Sequence, residues 1–397
     1  MAANPYRVLL HSPSVRWQAL TGLLAQTTQG AGGIGIILVI REHQGSLTLA
    51  GVVVGVLSVA AGVARPVQGR LIDRRGARGL MVVCGIMHPA ALGGIVALAD
   101  GHASGAAMIA TAVLAGVTLP PVSTCMRVAW GAATSLGDRT SAYSLVYLTQ
   151  ELSILAGPLL LAALISIGNA STALVAVAAV ACAGTLGFAA SLPPELQRAS
   201  ASPHERAGSA LLAPGMRVLI PTAVLVGAVI GGVQVGVPTF ATAHHAPAAS
   251  GLLIAALSIG GIAGAAIYGG RRWGLPPTAR LLTCLAALSA ATALTIPAPG
   301  LVALGAALAI AGLALNPSLT TISLHVDWHV STASAAEAFG WLSTGIATGT
   351  GAANAVAGAV THAGDARPAF VVATVAAVGA TTLVAGARRA LARGYAR

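Results

Sequence analysis

The chain of 397 residues is 56% hydrophobic and only 8% charged, with a mean hydropathy of +0.84. Soluble domains carry about a quarter of their residues as charges, so this composition excludes one and describes a chain built for a bilayer. A formal charge of +11 would suggest nucleic-acid binding in a soluble protein; here the arginines are spread among short connections between apolar runs, and nucleic acid is not an expected partner.

Twelve apolar runs follow one another, beginning near Arg16, Ser46, Gly79, Gly105, Ser141, Ser171, Gly215, Ala248, Thr278, Gly300, Ser334 and Arg367. A transmembrane helix needs roughly 20 apolar residues, so the pattern predicts an all-α polytopic membrane protein with twelve transmembrane helices. Ahead of the first run, MAANPYRVLLHSPSVRW sets arginines on its flank with no small-residue cleavage site after a short apolar core; no cleaved leader is expected. Within that run, Gly22, Gln26, Gln29 and Gly33 are spaced by four, three and four, which places them on one face of a continuous helix. A stripe both small and polar suits a substrate cavity, and equally suits helix packing with the amides as interhelical glue. The run GAGGIG at 30–35 lacks the Lys and Ser or Thr of a phosphate loop.

Between the second and third runs stands GRLIDRRGAR, residues 69–78. Its flanks are both long enough to span the membrane, so it is expected to form a loop at the membrane surface. Gly69, Leu71, Asp73, Arg74, Gly76 and Arg78 resemble the G-x-L-x-D-R-x-G-R-R signature of the major facilitator superfamily, which lies between that family's second and third helices; Ala77 departs from the closing basic pair. The resemblance implies two pseudo-symmetric six-helix bundles and a conformational latch made of Gly69, Asp73, Arg74, Gly76, Arg78 and a partner. Arg127, which with Trp130 closes the fourth run, is placed to be that partner for Asp73, as is the start of the eleventh run. Such contacts would hold the bundles together on one side of the membrane. A snorkelling Arg127 among headgroups is the plainer alternative.

His88 in the third run is expected to be a buried neutral histidine. The fifth run carries Tyr143, Tyr147, Gln150 and Glu151. Glu151 lies about ten residues in, roughly 15 Å deep, where a carboxyl group costs about 3 kcal/mol to insert and should face a cavity or a partner. It is the first candidate for proton coupling or substrate binding, with Gln26, Gln29, Gln234 and Tyr147 as further cavity candidates; a purely structural acid is the competing reading. Further along, Gly157 and Pro158 in AGPLL resemble the core of the motif that marks the superfamily's proton-coupled exporters, with departures at Ser153, Leu161 and Ala162. Glycine and proline there imply a bend or a tight helix contact whatever the function.

The longest polar stretch, 193–214, is expected to be a cytoplasmic linker between an N-terminal bundle, 1–192, and a C-terminal bundle, 215–397. Gly51, Leu57, Ser58 and Gly69 recur 200 positions later as Gly251, Leu257, Ser258 and Gly269, and Tyr143, Tyr147 and Gln150 are echoed by Glu337, Trp341 and Thr344. In the second copy GGRRW replaces GRLIDRR, so Trp273 stands where the first copy has Asp73. His325, Asp327 and His329 are expected in a solvated turn closing the tenth run rather than at a metal. Cys84, Cys125, Cys182 and Cys284 have no paired spacing and are read as small core residues.

All 21 basic residues are arginine, a trait of GC-rich coding such as that of actinobacteria, and only Arg41 and Arg367 fall in connections on one side. The arginine-rich side is therefore cytoplasmic, both termini lie there, and the bacterial inner membrane is the expected location. The sequence reads as a monomeric secondary transporter, exporting a small apolar compound in exchange for protons by rocking of its two bundles. It needs no cofactor beyond the proton gradient. An importer or facilitator of a sugar or amino acid on the same fold is the alternative, a non-transporting membrane sensor the second; no constellation of nucleophile, base and acid suggests an enzyme.

Overall fold

The computed structural model describes residues 5–135, 137–197, 209–361 and 365–392. A short α1 (Pro5–His11) precedes α2 (Pro13–Ala25) and α3 (Thr27–Gln44), which make the first span. The second and third are α4 (Leu47–Arg75) and α5 (Ala77–Asp100), the fourth is α6 (Gly105–Val117) with α7 (Val122–Ala132), the fifth α8 (Arg139–Ser166) and the sixth α9 (Ala170–Ala190). After α10 (Pro194–Gln197) come α11 (Met216–Ala243), α12 (Ala249–Gly269), α13 (Pro277–Ala293), α14 (Leu301–His329), α15 (Ala335–Val360) and α16 (Arg367–Ala392). All twelve expected spans are present as helices, and the described residues contain no strand. Ten spans are long and apolar enough to cross a bilayer by length and composition. Part of the expected linker, 198–208, lies outside the described residues.

Apolar side chains face outward as well as inward. Val59, Val63 and Val67, one every four residues along α4, are 67%, 67% and 63% exposed. A dry stripe of that kind is solvated by lipid rather than water.

The stretch expected to be a surface loop is mostly helix. Gly69 to Arg75 are the last residues of α4, and Gly76 alone joins α4 to α5, with φ of 83° and its N–H donating to Ile72 O at 2.9 Å. A positive φ with an extended ψ of 159° is a backbone conformation that essentially only glycine adopts, and a one-residue connection explains why the signature needs it there. The second copy behaves otherwise. With Gly270, Gly274, Pro276 and Pro277 in its path, the chain leaves the helix at Gly269 and runs open until α13 begins, because neither glycine nor proline supports a helix interior.

The helices form two compact units, one comprising 1–6, 134–148 and 207–397 and the other 7–133 and 149–206. Each packs its second and fourth spans in the same manner. In one, a Cβ at Gly116 would collide with Leu57 O; in the other, a Cβ at Gly312 would collide with Leu257 O. Leu57 and Leu257 are partners in the sequence repeat, so the repeat is a repeat of backbone contacts. Both glycines are required because carbonyl and helix axis approach without room for a side chain.

Candidate functional site

The first ten residues of α8 belong with the helices that follow residue 207, and polar contacts join them. Tyr143 Oη donates to the Asp327 carboxylate, 2.7 Å from each oxygen, and Arg139 Nη1 lies 3.1 Å from Asp327 Oδ2. One turn further along α8, Tyr147 Oη and Ser323 Oγ are 3.0 Å apart. A step of four up α8 meets a step of four back along α14, so the two helices run antiparallel with matched faces. Ser141 Oγ donates to Gly269 O at 2.5 Å, capping the end of α12. The solvated turn expected at the end of the tenth run is not formed: Asp327 lies within α14, and His325 is fully buried with its Nδ1 on Thr321 O at 2.8 Å. Two polar partners supplied by α8 stabilise the acid there, and sequence spacing alone shows neither. No group of metal-ligating side chains occurs among the described residues.

In the other unit, two spans are interrupted and side chains repair the interruptions. The first breaks at Gln26, whose backbone N–H turns to Leu23 O; its side-chain Nε2 donates to Gly22 O at 2.9 Å in place of that lost N–H. Gln26 is fully buried, and its Oε1 meets no donor among the described residues. The fourth span breaks at Pro120 and Pro121, which cannot donate. From α4, Gln68 Nε2 donates to Val117 O at 2.9 Å and Leu119 O at 3.1 Å, and Arg65 Nη1 reaches Pro120 O at 3.2 Å. A cation against the exposed carbonyls of a helix C-terminus is the favourable sense of the helix dipole. His88, buried as expected, has Nδ1 2.8 Å from Ala115 O and Nε2 3.3 Å from Thr28 Oγ1.

The residues singled out in the sequence divide between these settings. Glu151 is half-buried on α8, one helical step beyond Tyr147 on the same face and in the part of α8 that belongs with residues 7–133. Beside it, Gln150 accepts from Arg127 Nη2 at 3.4 Å; Arg127 is buried. Gln29 is exposed although Gln26 is buried, because the break at Gln26 interrupts the face the spacing assumed. Gln234 is exposed and accepts from Asn354 Nδ2 at 3.2 Å, whereas Tyr147 is buried. Gly69 is buried, Asp73 half-buried, and Arg74 and Arg78 exposed.

Gly157 and Pro158 make the tight contact their types implied. Pro158 withdraws the donor that Ile154 O would have within the helix, and Gly30 of α3 lies against that carbonyl, its missing Cβ only 2.8 Å away. Reciprocally, a Cβ at Gly157 would sit 2.6 Å from Thr27 O. Ser153, which departs from the exporter motif, donates to Leu23 O at 2.9 Å across the same seam.

The family model described as Major Facilitator Superfamily matches residues 19–336. Among solved structures the fold is similar to that of a bacterial homologue of the iron transporter ferroportin in an outward-facing state, with a TM-score of 0.76 at 12% identity over 96% of this chain and 99% of that one. It is likewise similar to the human organic anion transporter MFSD10 (TM-score 0.74, 17% identity, 94% and 100% covered) and to the transporter FucP in its outward conformation (0.70, 14%, 94% and 97%). The curated proteins contain no significant sequence match.

Proposed function

The chain belongs to the major facilitator superfamily, and we propose that this multi-pass membrane transporter is a proton-coupled exporter of a small apolar compound, with Glu151 as the carboxyl group that alternates between proton and substrate. One observation carries the reading. Of the acidic residues described, Glu151 alone lies about three turns from the nearer end of its membrane helix, half-buried on a face that already carries Tyr143 and Tyr147. The other acids stand within a turn of a helix end or in connections. Near mid-membrane a carboxyl group is costly to place, so an acid kept there is a candidate for the coupling role. One charge crossing 100 mV supplies about 2.3 kcal/mol, enough for a gradient of roughly 50-fold.

In this reading Gln26, Gln29, Gln234 and Tyr147 contribute polar groups to the substrate path. Gly69, Asp73, Arg74, Gly76, Arg78 and Arg127 act as the conformational latch, the single-residue turn at Gly76 making α4 and α5 move together. Gly157 and Pro158 supply the bare seam on which α8 and α3 pivot. The ion pair Arg139–Asp327 and the rung Tyr143–Asp327 hold the start of α8 on the arginine-rich side, and are released when that side opens. The protein acts as a monomer in the bacterial inner membrane with its termini in the cytoplasm, without a cofactor.

The test is flux in proteoliposomes under an imposed pH gradient, with a panel of apolar and polar compounds. Export predicts that substrate moves against proton flow; movement of a sugar or amino acid together with protons would instead establish the importer reading. No gradient-dependent flux of any compound would remove both.

A further inference from the structure

The second copy of the signature loop does something the first does not. Where the first copy has Asp73, Trp273 turns its indole toward α12, donating from Nε1 to Tyr268 O at 2.9 Å, with the two rings 4.7 Å apart. Arg271 lies 5.4 Å from the Trp273 ring and Arg280 5.9 Å, and Arg280 is also 5.3 Å from the Tyr268 ring, distances at which a guanidinium is attracted to an aromatic face. Arg280 is buried, 7% exposed, and donates to Tyr268 Oη at 2.9 Å and Thr140 Oγ1 at 3.1 Å. No carboxylate pairs with Arg280 or Arg271 among the described residues; the nearby Asp138 takes Arg272 at 3.5 Å. Two guanidinium groups therefore stand against one indole with no carboxylate paired to either among the described residues.

Arg280, Tyr268 and Trp273 stand at the head of a cavity of about 320 Å³ between α12, α13 and α14, which Ala287, Ile310 and Leu313 line along its length; Arg271 is not part of that lining and flanks it through Trp273. Ile310 and Leu313 are 46% and 39% exposed, and Ile267 at the rim 65%, so the groove opens on the lipid-facing surface. Charge at the head and apolar walls behind it match one class of molecule. We propose that this groove is a binding site for an anionic phospholipid, its phosphate drawn to Arg280 and Arg271 beside Trp273 and its acyl chain lying over Ile310 and Leu313. Basic pockets between membrane helices on the arginine-rich side recognise anionic headgroups by this combination, and tryptophan and tyrosine favour the headgroup level.

Cys284 lines the same groove and is half-buried, whereas Cys182, also half-buried, lies in the other unit. This gives a local readout. The full-length protein in detergent is supplied with phosphatidylglycerol, with phosphatidylcholine of the same chains, or with inorganic phosphate alone, and the rate of alkylation of each cysteine by N-ethylmaleimide is followed by peptide mass spectrometry. Phosphatidylglycerol is expected to slow modification of Cys284 several-fold relative to phosphatidylcholine and to leave Cys182 unchanged. Arg280→Gln should abolish the difference. Arg271→Gln, at an exposed position that leaves folding intact, should raise the phosphatidylglycerol concentration needed for protection by roughly fivefold. Equal protection by both lipids, or protection that survives both substitutions, would overturn the proposal; protection by inorganic phosphate alone would replace the lipid with a free anion.

Discussion

Tyr143 and Asp327, 184 residues apart in sequence, share a hydrogen bond of 2.7 Å to each carboxylate oxygen, and Arg139 pairs with the same carboxylate from one turn earlier on α8. The acid is thus held by a donor and a cation from a single helix. Removing the phenol hydroxyl in Tyr143→Phe should cost about 1.5–3 kcal/mol, the range for a hydrogen bond to a charged group. A double-mutant cycle of Tyr143→Phe with Asp327→Asn, read from the unfolding midpoint in detergent, is expected to show coupling well above zero; additive losses would mean the pair contributes nothing beyond its separate residues.

The seam between α3 and α8 makes a sharper contrast. Gly157→Ala forces a Cβ to within 2.6 Å of a backbone carbonyl that cannot step aside, so a loss of about 1–3 kcal/mol is expected. Gly93→Ala, in α5 with nothing within 4 Å of the added atom, should stabilise by about 0.5–1 kcal/mol because alanine favours the helix. Thermal midpoints of the two variants moving in opposite directions are the expected result. A neutral Gly157→Ala would show that the seam can open.

At the Pro120–Pro121 break, Gln68→Leu keeps the side chain's bulk and removes the donor to Val117 O and Leu119 O. Carbonyls left without donors cost about 1–3 kcal/mol. Cys84 Sγ lies 3.9 Å from Gln68 Nε2 and is buried, so a loosened break should also speed its alkylation. An unchanged midpoint together with unchanged Cys84 reactivity would assign the repair to Arg65 alone.

The twelve spans and the repeat were legible because each rests on local pattern: apolar length for the spans, and a spacing of 200 that returns Leu57 as Leu257 in the same backbone contact. The tight contact at Gly157 was likewise readable from residue type. The Asp327 site was not. Its polar run at the end of α14 looks like a solvated turn until α8 brings Arg139 and Tyr143 to it, and those partners are specified by packing over a long sequence separation. Gly22, Gln26, Gln29 and Gly33 do not form one continuous helix face for a different reason, since their spacing assumes an unbroken helix and the first span breaks at Gln26, whose own amide satisfies Gly22 O. The roles of Arg65 and Gln68 are not legible in the sequence, because a polar residue near a helix end gives no sign of which broken helix it repairs.

The central claim concerns Glu151 and is tested most directly by separating substrate passage from coupling. In proteoliposomes, once a transported compound is identified, exchange of labelled for unlabelled compound at equal pH needs no net proton movement, whereas accumulation driven by a pH gradient does. Glu151→Gln is expected to retain exchange within a few-fold of the parent protein and to lose gradient-driven accumulation altogether. A Glu151→Gln variant that accumulates the compound as the parent does, with the same dependence on the pH gradient, would contradict the account.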